Sequence, residues 1–84
     1  MKKLSNITLD EFRAFLKAKG LTMQRTNGGH EMWSREGMLR PVVFQTHIDP
    51  LPEFVVKNNL AAIDVSRKEF LEFFENKKTT PIDE

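Results

Sequence analysis

The sequence predicts an α+β domain of two layers, in the order α-β-β-β-α-α, with a three-stranded antiparallel sheet and its helices on one face. Two apolar stripes at helical spacing, one near each end of the chain, carry that prediction together with three short β-type runs separated by glycine turns. Eighty-four residues suffice for one such domain, which buries only about 60 to 65% of its unfolded surface and so builds a single thin core. The domain is expected over residues 1–78. Residues 79–84 have no periodicity and are expected to fray.

The first helix is expected over about 9–19. Thr8 and Glu11 have the spacing of a capping box, Ile7 and Phe12 that of a hydrophobic staple, and Leu9, Phe12, Phe15 and Leu16 form one apolar stripe before Gly20 ends the helix. The strands follow as Leu21–Thr26, His30–Arg35 and Leu39–Thr46. Asn27-Gly28-Gly29 makes the first turn, where Asn-Gly supplies positive φ angles and the second glycine leaves room for a bulge or a close backbone approach. Pro41 cannot donate a ladder hydrogen bond, so the third strand is expected at an edge or bulged there. Asp49-Pro50-Leu51-Pro52 begins a short helix reaching about Leu60. Ser66 with Glu69 and Val65 with Phe70 then repeat the capping box and the staple, opening a last helix over about 67–77. Its acidic residues Glu69, Glu72 and Glu75 read as a solvated side.

Pairing around the turns is expected to set Arg25 opposite His30, Met23 opposite Met32, Met32 opposite Val42 and His30 opposite Phe44. In that register Leu21, Met23, Met32, Val42 and Phe44 face the helices, and His30 with Arg25 lies at the rim of that face. Thr22, Gln24, Glu31, Trp33, Arg35, Val43 and Gln45 then form an open, polar surface, where Trp33 is free to stack on a base or anchor a protein partner.

Composition narrows the function classes. The absence of cysteine excludes a disulfide framework, a thiol nucleophile and sulfur-ligated zinc. Residues 1–20 hold no apolar signal region, and no apolar run approaches the roughly 20 residues of a membrane span, so a cytoplasmic protein without membrane association is expected. A formal net charge of +1 hides an uneven division. Up to His47 eight basic residues stand against four acidic ones, a net of +4, and from Ile48 onward five stand against eight, a net of −3. The first half is therefore the one suited to a polyanion.

Histidine is the side chain that ordinarily exchanges protons near neutral pH, and there are two. His30 follows the bare backbone of Gly28-Gly29, where a phosphate could approach, and faces Arg25, a donor suited to phosphate oxygens. His47 lies roughly 10 Å further along its strand at about 3.3 Å per residue, and is a second acid or base only if a bulge reverses its parity. Two distant histidines with no His-x-x-x-His pair and no clustered carboxylate give no reason to invoke a metal, and no cofactor is expected.

The segment from Arg25 to Trp33, with its context, resembles the HicA family of bacterial toxins, which cleave RNA. The resemblance covers nearly the whole chain. It includes the opening helix with Phe12, Leu16 and Lys19-Gly20, the Gly-small-His signature as Gly28-Gly29-His30, the aromatic Trp33, the turn at Gly37, the strand Val42 to His47, and a tail with Leu51 to Leu60 and Ser66 to Leu71. It implies a double-stranded-RNA-binding-like fold, His30 as the catalytic residue of an mRNA-cleaving endoribonuclease, and a HicB-type antitoxin that covers it. The corresponding mechanism is metal-independent. His30 draws the proton from a ribose 2′-OH, Arg25 with Arg35 or Arg40 offsets charge on the phosphate, and His47, Glu31 or solvent protonates the leaving oxygen. A non-catalytic RNA-binding module of the same fold, or a protein-interaction domain anchored by Trp33, are the alternatives.

Overall fold

Each helix begins where its capping residue stands. The computed structural model describes residues 3–79, the side chains of 76–79 apart. After a single 3-10 turn at Leu4–Asn6, helix α1 spans Leu9–Ala18. Both halves of the Thr8 capping box form: the Thr8 amide donates to Glu11 Oε1 at 2.9 Å and the Glu11 amide to Thr8 Oγ1 at 3.1 Å. Helix α2 spans Glu53–Ala62, so both prolines of its approach precede the helix instead of filling its first turn, and Pro52 is the N-cap. Helix α3 spans Arg67–Thr79, with the Glu69 amide donating to Ser66 Oγ at 3.0 Å. Thr79 therefore closes α3 instead of opening a tail, and 80–84 lie outside the described residues.

Strands β1 (Thr22–Asn27), β2 (His30–Ser34) and β3 (Val42–Gln45) form an antiparallel sheet in the order β1-β2-β3. The domain is α+β, with an open three-stranded sheet and three helices. Its core joins one face of the sheet to α1 and α3 through edge-to-face phenylalanines. Phe12 meets Phe44 at 5.3 Å and Phe70 at 6.0 Å between centroids, and Phe15 meets Phe70 at 4.7 Å.

The register differs from the expected one by one residue between β2 and β3, and by two residues between β1 and β2 next to the turn, falling to one beyond the bulge. Asn27 pairs with His30, so the two central turn residues are Gly28 and Gly29, at φ +60° and +83°, which is the backbone that a two-residue hairpin turn demands. His30 pairs with Gln45 and not Phe44, and Met32 with Val43 and not Val42. A one-residue slip moves every side chain of a strand to the opposite face. Hence Glu31 and Trp33 join Val42 and Phe44 on the helix side, while His30 and Met32 turn to the open side. Met23, expected in the core, is half exposed. The bulge also falls elsewhere, at Gln24 between Met23 and Arg25, and Pro41 simply precedes the edge strand β3.

The choice between the two registers follows from what each buries. Strand β2 reads His-Glu-Met-Trp, so either Glu31 and Trp33 go inward or His30 and Met32 do. Tryptophan offers the largest apolar area, and Trp33 is 4% exposed. It brings Glu31 in with it, and that carboxylate is met by Arg13 of α1 and by the Trp33 indole.

The outer edge of β3 is closed by a side chain of α2. Buried Asn59 donates from Nδ2 to the Val43 carbonyl at 3.0 Å and accepts the Val43 amide on Oδ1 at 3.4 Å, imitating a neighbouring strand for one residue. Replacing Asn59 by alanine leaves both backbone groups unpaired beside the helix. We expect a loss of about 1 to 3 kcal/mol, read as a lowered denaturant midpoint with an unchanged m-value.

Candidate functional site

The site is built on the open face, at the end of the sheet where the β1–β2 turn meets the chain leaving β3. His30, the first residue of β2, is exposed. Arg25 pairs with Met32 and so shares its face with His30, two residues along. The two side chains line one hollow of about 220 Å³ together with Asn27, Met32 and Val43. Arg25 and His30 therefore do come together, diagonally and on the open face, instead of directly opposite at the rim of the core. Among the described residues neither has a side-chain hydrogen bond or an ion pair, whereas Arg13, Lys19 and Arg35 are each engaged.

His47 reaches the same corner by a route that strand spacing did not reveal. Strand β3 ends at Gln45, and Thr46 then binds the Gly29 carbonyl twice, through its amide at 2.7 Å and its hydroxyl at 3.1 Å. That clamp lays the exposed His47 against the turn, with its Nδ1 at 3.6 Å from where a side chain on Gly29 would begin. Gly29 is thus needed for its positive φ; His30 follows it in sequence, and His47 Nδ1 lies against it in space.

The loop is held from below. Asp49 Oδ1 accepts the Leu9 amide at 3.1 Å, and the Leu51 amide donates to the Ile7 carbonyl at 2.8 Å, tying residues 46–52 to the start of α1. The His47 segment is therefore tied at both ends, to the Gly29 turn by Thr46 and to the approach of α1 by Asp49 and Leu51, while His47 itself stays exposed.

Other expected site residues lie elsewhere. Trp33 is buried, and its Nε1 donates to Glu31 Oε1 at 2.9 Å, so it presents no ring for a base or a partner. Glu31 is 7% exposed and bound by Arg13 at its Nε, 3.1 Å away, and at its Nη2. The Arg13 hydrogen bonds hold the Glu31 carboxyl below the usual carboxylate range against the opposing effect of burial, and the Trp33 indole assists. A carboxylate so committed is no proton donor for a leaving group. Arg35 follows the far end of β2, roughly 16 Å from His30 at about 3.3 Å per residue, and its Nη1 donates to the Lys19 carbonyl at the end of α1 at 2.7 Å. Arg40 lies beyond the opposite end of β3 from Gln45, in a hollow with Asn58 and Asn59. Of the expected phosphate contacts, Arg25 and the Gly28-Gly29 backbone share the corner with His30; Arg35 and Arg40 do not.

Sequence reasoning missed an apolar groove of about 440 Å³ beside the same histidine. It runs between β3 and the start of α2, and its walls include Val43, Ile48, Leu51, Phe54 and Val55, with His30 at its rim. Phe54 was the available signal: a phenylalanine in the first turn of α2 that belongs to no stripe, and it is 66% exposed. Among the described residues, no three His, Cys, Asp or Glu side chains converge, and no helix is long and apolar enough to cross a membrane.

No protein-family model matches the chain, and no curated protein or solved structure does either.

Proposed function

We propose that the protein is a metal-independent endoribonuclease of the HicA kind, a cytoplasmic toxin that cleaves mRNA at the corner formed by His30, His47 and Arg25. The observation that carries this reading is exposed His30 in one hollow with Arg25, an arginine without a protein partner among the described residues, and exposed His47 against the Gly29 turn that precedes His30. A proton acceptor, a proton donor and a cation for the phosphate are the groups that speed cleavage through the ribose 2′-OH. His30 accepts the 2′-hydroxyl proton while the oxygen attacks phosphorus, and the bond from phosphorus to the 5′ oxygen breaks. His47 supplies the proton that this oxygen takes as it leaves. The products are a 2′,3′-cyclic phosphate and a 5′-hydroxyl. Arg25 offsets charge gathering on the phosphate, and the bare Gly28-Gly29 backbone lets the phosphate come close. The α-β-β-β-α-α order suits a double-stranded-RNA-binding-like domain that uses its open sheet end for the substrate, and a HicB-type antitoxin would act by covering that end.

The test is expression in a bacterial host and cleavage by the purified protein. Induction is expected to arrest growth and His30→Ala to relieve the arrest. Isolated fragments should carry cyclic phosphate ends, and a substrate with 2′-deoxyribose at the cleaved position should resist. Unaffected growth together with intact RNA would replace this reading with a non-catalytic RNA-binding module.

A further inference from the structure

We infer that the apolar groove between β3 and α2 is a base-binding subsite for single-stranded RNA, with Phe54 as its stacking residue. The inference deepens the proposed reaction and rests on it, for it states where the nucleotide beside the scissile phosphate is held.

Two hollows of opposite character meet at His30. One is small and polar and contains Arg25 and Asn27; the other is larger and apolar, walled by Ile48, Leu51 and Phe54. His30 and Val43 belong to both. A nucleotide has the same division, an anionic phosphate joined through a sugar to a flat, largely apolar base. With the phosphate at Arg25, the base points into the groove and the ribose falls at His30. Charge agrees with this polarity. The one carboxylate bordering the polar hollow, Glu31, is neutralised by Arg13 from the other side of the sheet, so Arg25 is left to attract an anion.

Phe54 is two-thirds exposed at the groove although it is a large apolar ring on a helix otherwise docked to the core. An exposed ring in a groove that adjoins a cationic hollow suits single-stranded nucleic acid, because every base has a face that stacks. The backbone excludes the other obvious occupant. Asn59 pairs with the outward amide and carbonyl of Val43, and antiparallel alternation turns those of Gln45 outward along the same edge. One donor and one acceptor are thus open beside the groove. An extended peptide adding to β3 would need the next pair as well, which Asn59 already fills, whereas the edge of one base needs only one such pair.

The probe is a mixed-sequence hexanucleotide of 2′-O-methyl RNA, which cannot be cleaved, compared with versions carrying an abasic residue at each position in turn. Binding is followed by fluorescence anisotropy. For the wild-type protein one abasic position is expected to weaken binding by roughly 5- to 150-fold. In Phe54→Ala that penalty should vanish, and Phe54→Tyr should retain it. Arg25→Ala should weaken intact and abasic probes by the same factor. A flat abasic scan in the wild type, or an equal penalty in Phe54→Ala, would overturn the subsite. So would a wild-type dimer that Phe54→Ala converts to a monomer, since a second copy would then occupy the groove. The two readings fail separately: a Phe54-dependent base preference in a protein that never cleaves RNA removes the reaction and leaves the subsite, while His30-dependent cleavage with a flat scan does the reverse.

Discussion

Replacing His30 by alanine is expected to slow RNA cleavage by about 10² to 10⁴-fold, the usual worth of a positioned acid or base. The fold should be indifferent to the change. The side chain is exposed and has no hydrogen-bond partner among the described residues, so stability should move by less than about 0.5 kcal/mol. That separation makes the experiment decisive, because lost activity in a protein with an unchanged denaturation midpoint cannot come from unfolding. His47→Ala should also slow the reaction, and the double variant should lose less than the two single losses multiplied, since both groups act as a unit in one cleavage step. Arg35→Ala and Arg40→Ala should cleave at close to the wild-type rate, because Arg35 is engaged with the end of α1 and Arg40 lies at the other end of β3. His30→Ala cleaving as fast as the wild type would remove His30 from the mechanism, and a rate loss in Arg35→Ala equal to that in Arg25→Ala would move the phosphate away from the proposed corner.

The largest effect on stability is expected at Glu31. Its carboxylate is nearly sealed, bonded to Arg13 and to the Trp33 indole, and Arg13 is held by Asp10 as well. Glu31→Ala leaves a partly buried guanidinium and a buried indole N–H without their acceptor. We expect a loss of about 2 to 4 kcal/mol, less than a fully buried pair would cost because Arg13 keeps some contact with water and its bond to Asp10. Glu31→Gln retains an acceptor for the indole and should lose less. Combining Glu31→Leu with Arg13→Met removes both charges and should recover part of the loss. Acid should act on the same pair. The Glu31 carboxyl is held below its ordinary range in the folded protein, so its contribution is complete above the ordinary carboxylate range and is lost as pH falls through the lowered folded value. The difference in melting temperature between wild type and Glu31→Gln should therefore shrink on acidification through and below that range. A gap of constant size would show that the pair contributes nothing that depends on ionisation.

Local grammar in the chain was enough for the kind and order of the elements. Thr8 with Glu11, Ser66 with Glu69, Gly20, and the Gly28-Gly29 turn each act within a few residues and bound α1, the start of α3 and the first hairpin, whereas β3, expected from Leu39, begins at Val42 and α2, expected from Asp49, begins at Glu53. Three-strand order and the choice of His30 as an accessible imidazole by a glycine turn were legible for the same reason. The faces of β2 were not. Alternation says that His30 goes with Met32 and Glu31 with Trp33, but it cannot say which pair turns inward. That is decided by the area Trp33 buries and by Arg13 arriving from α1, eighteen residues before Glu31, to donate to its carboxylate. Nor could spacing along a strand place His47 or the Phe54 groove. Both depend on where the chain turns after β3 and on how α2 leans against its edge, and those are contacts between residues far apart in sequence whose energies only the assembled core brings together.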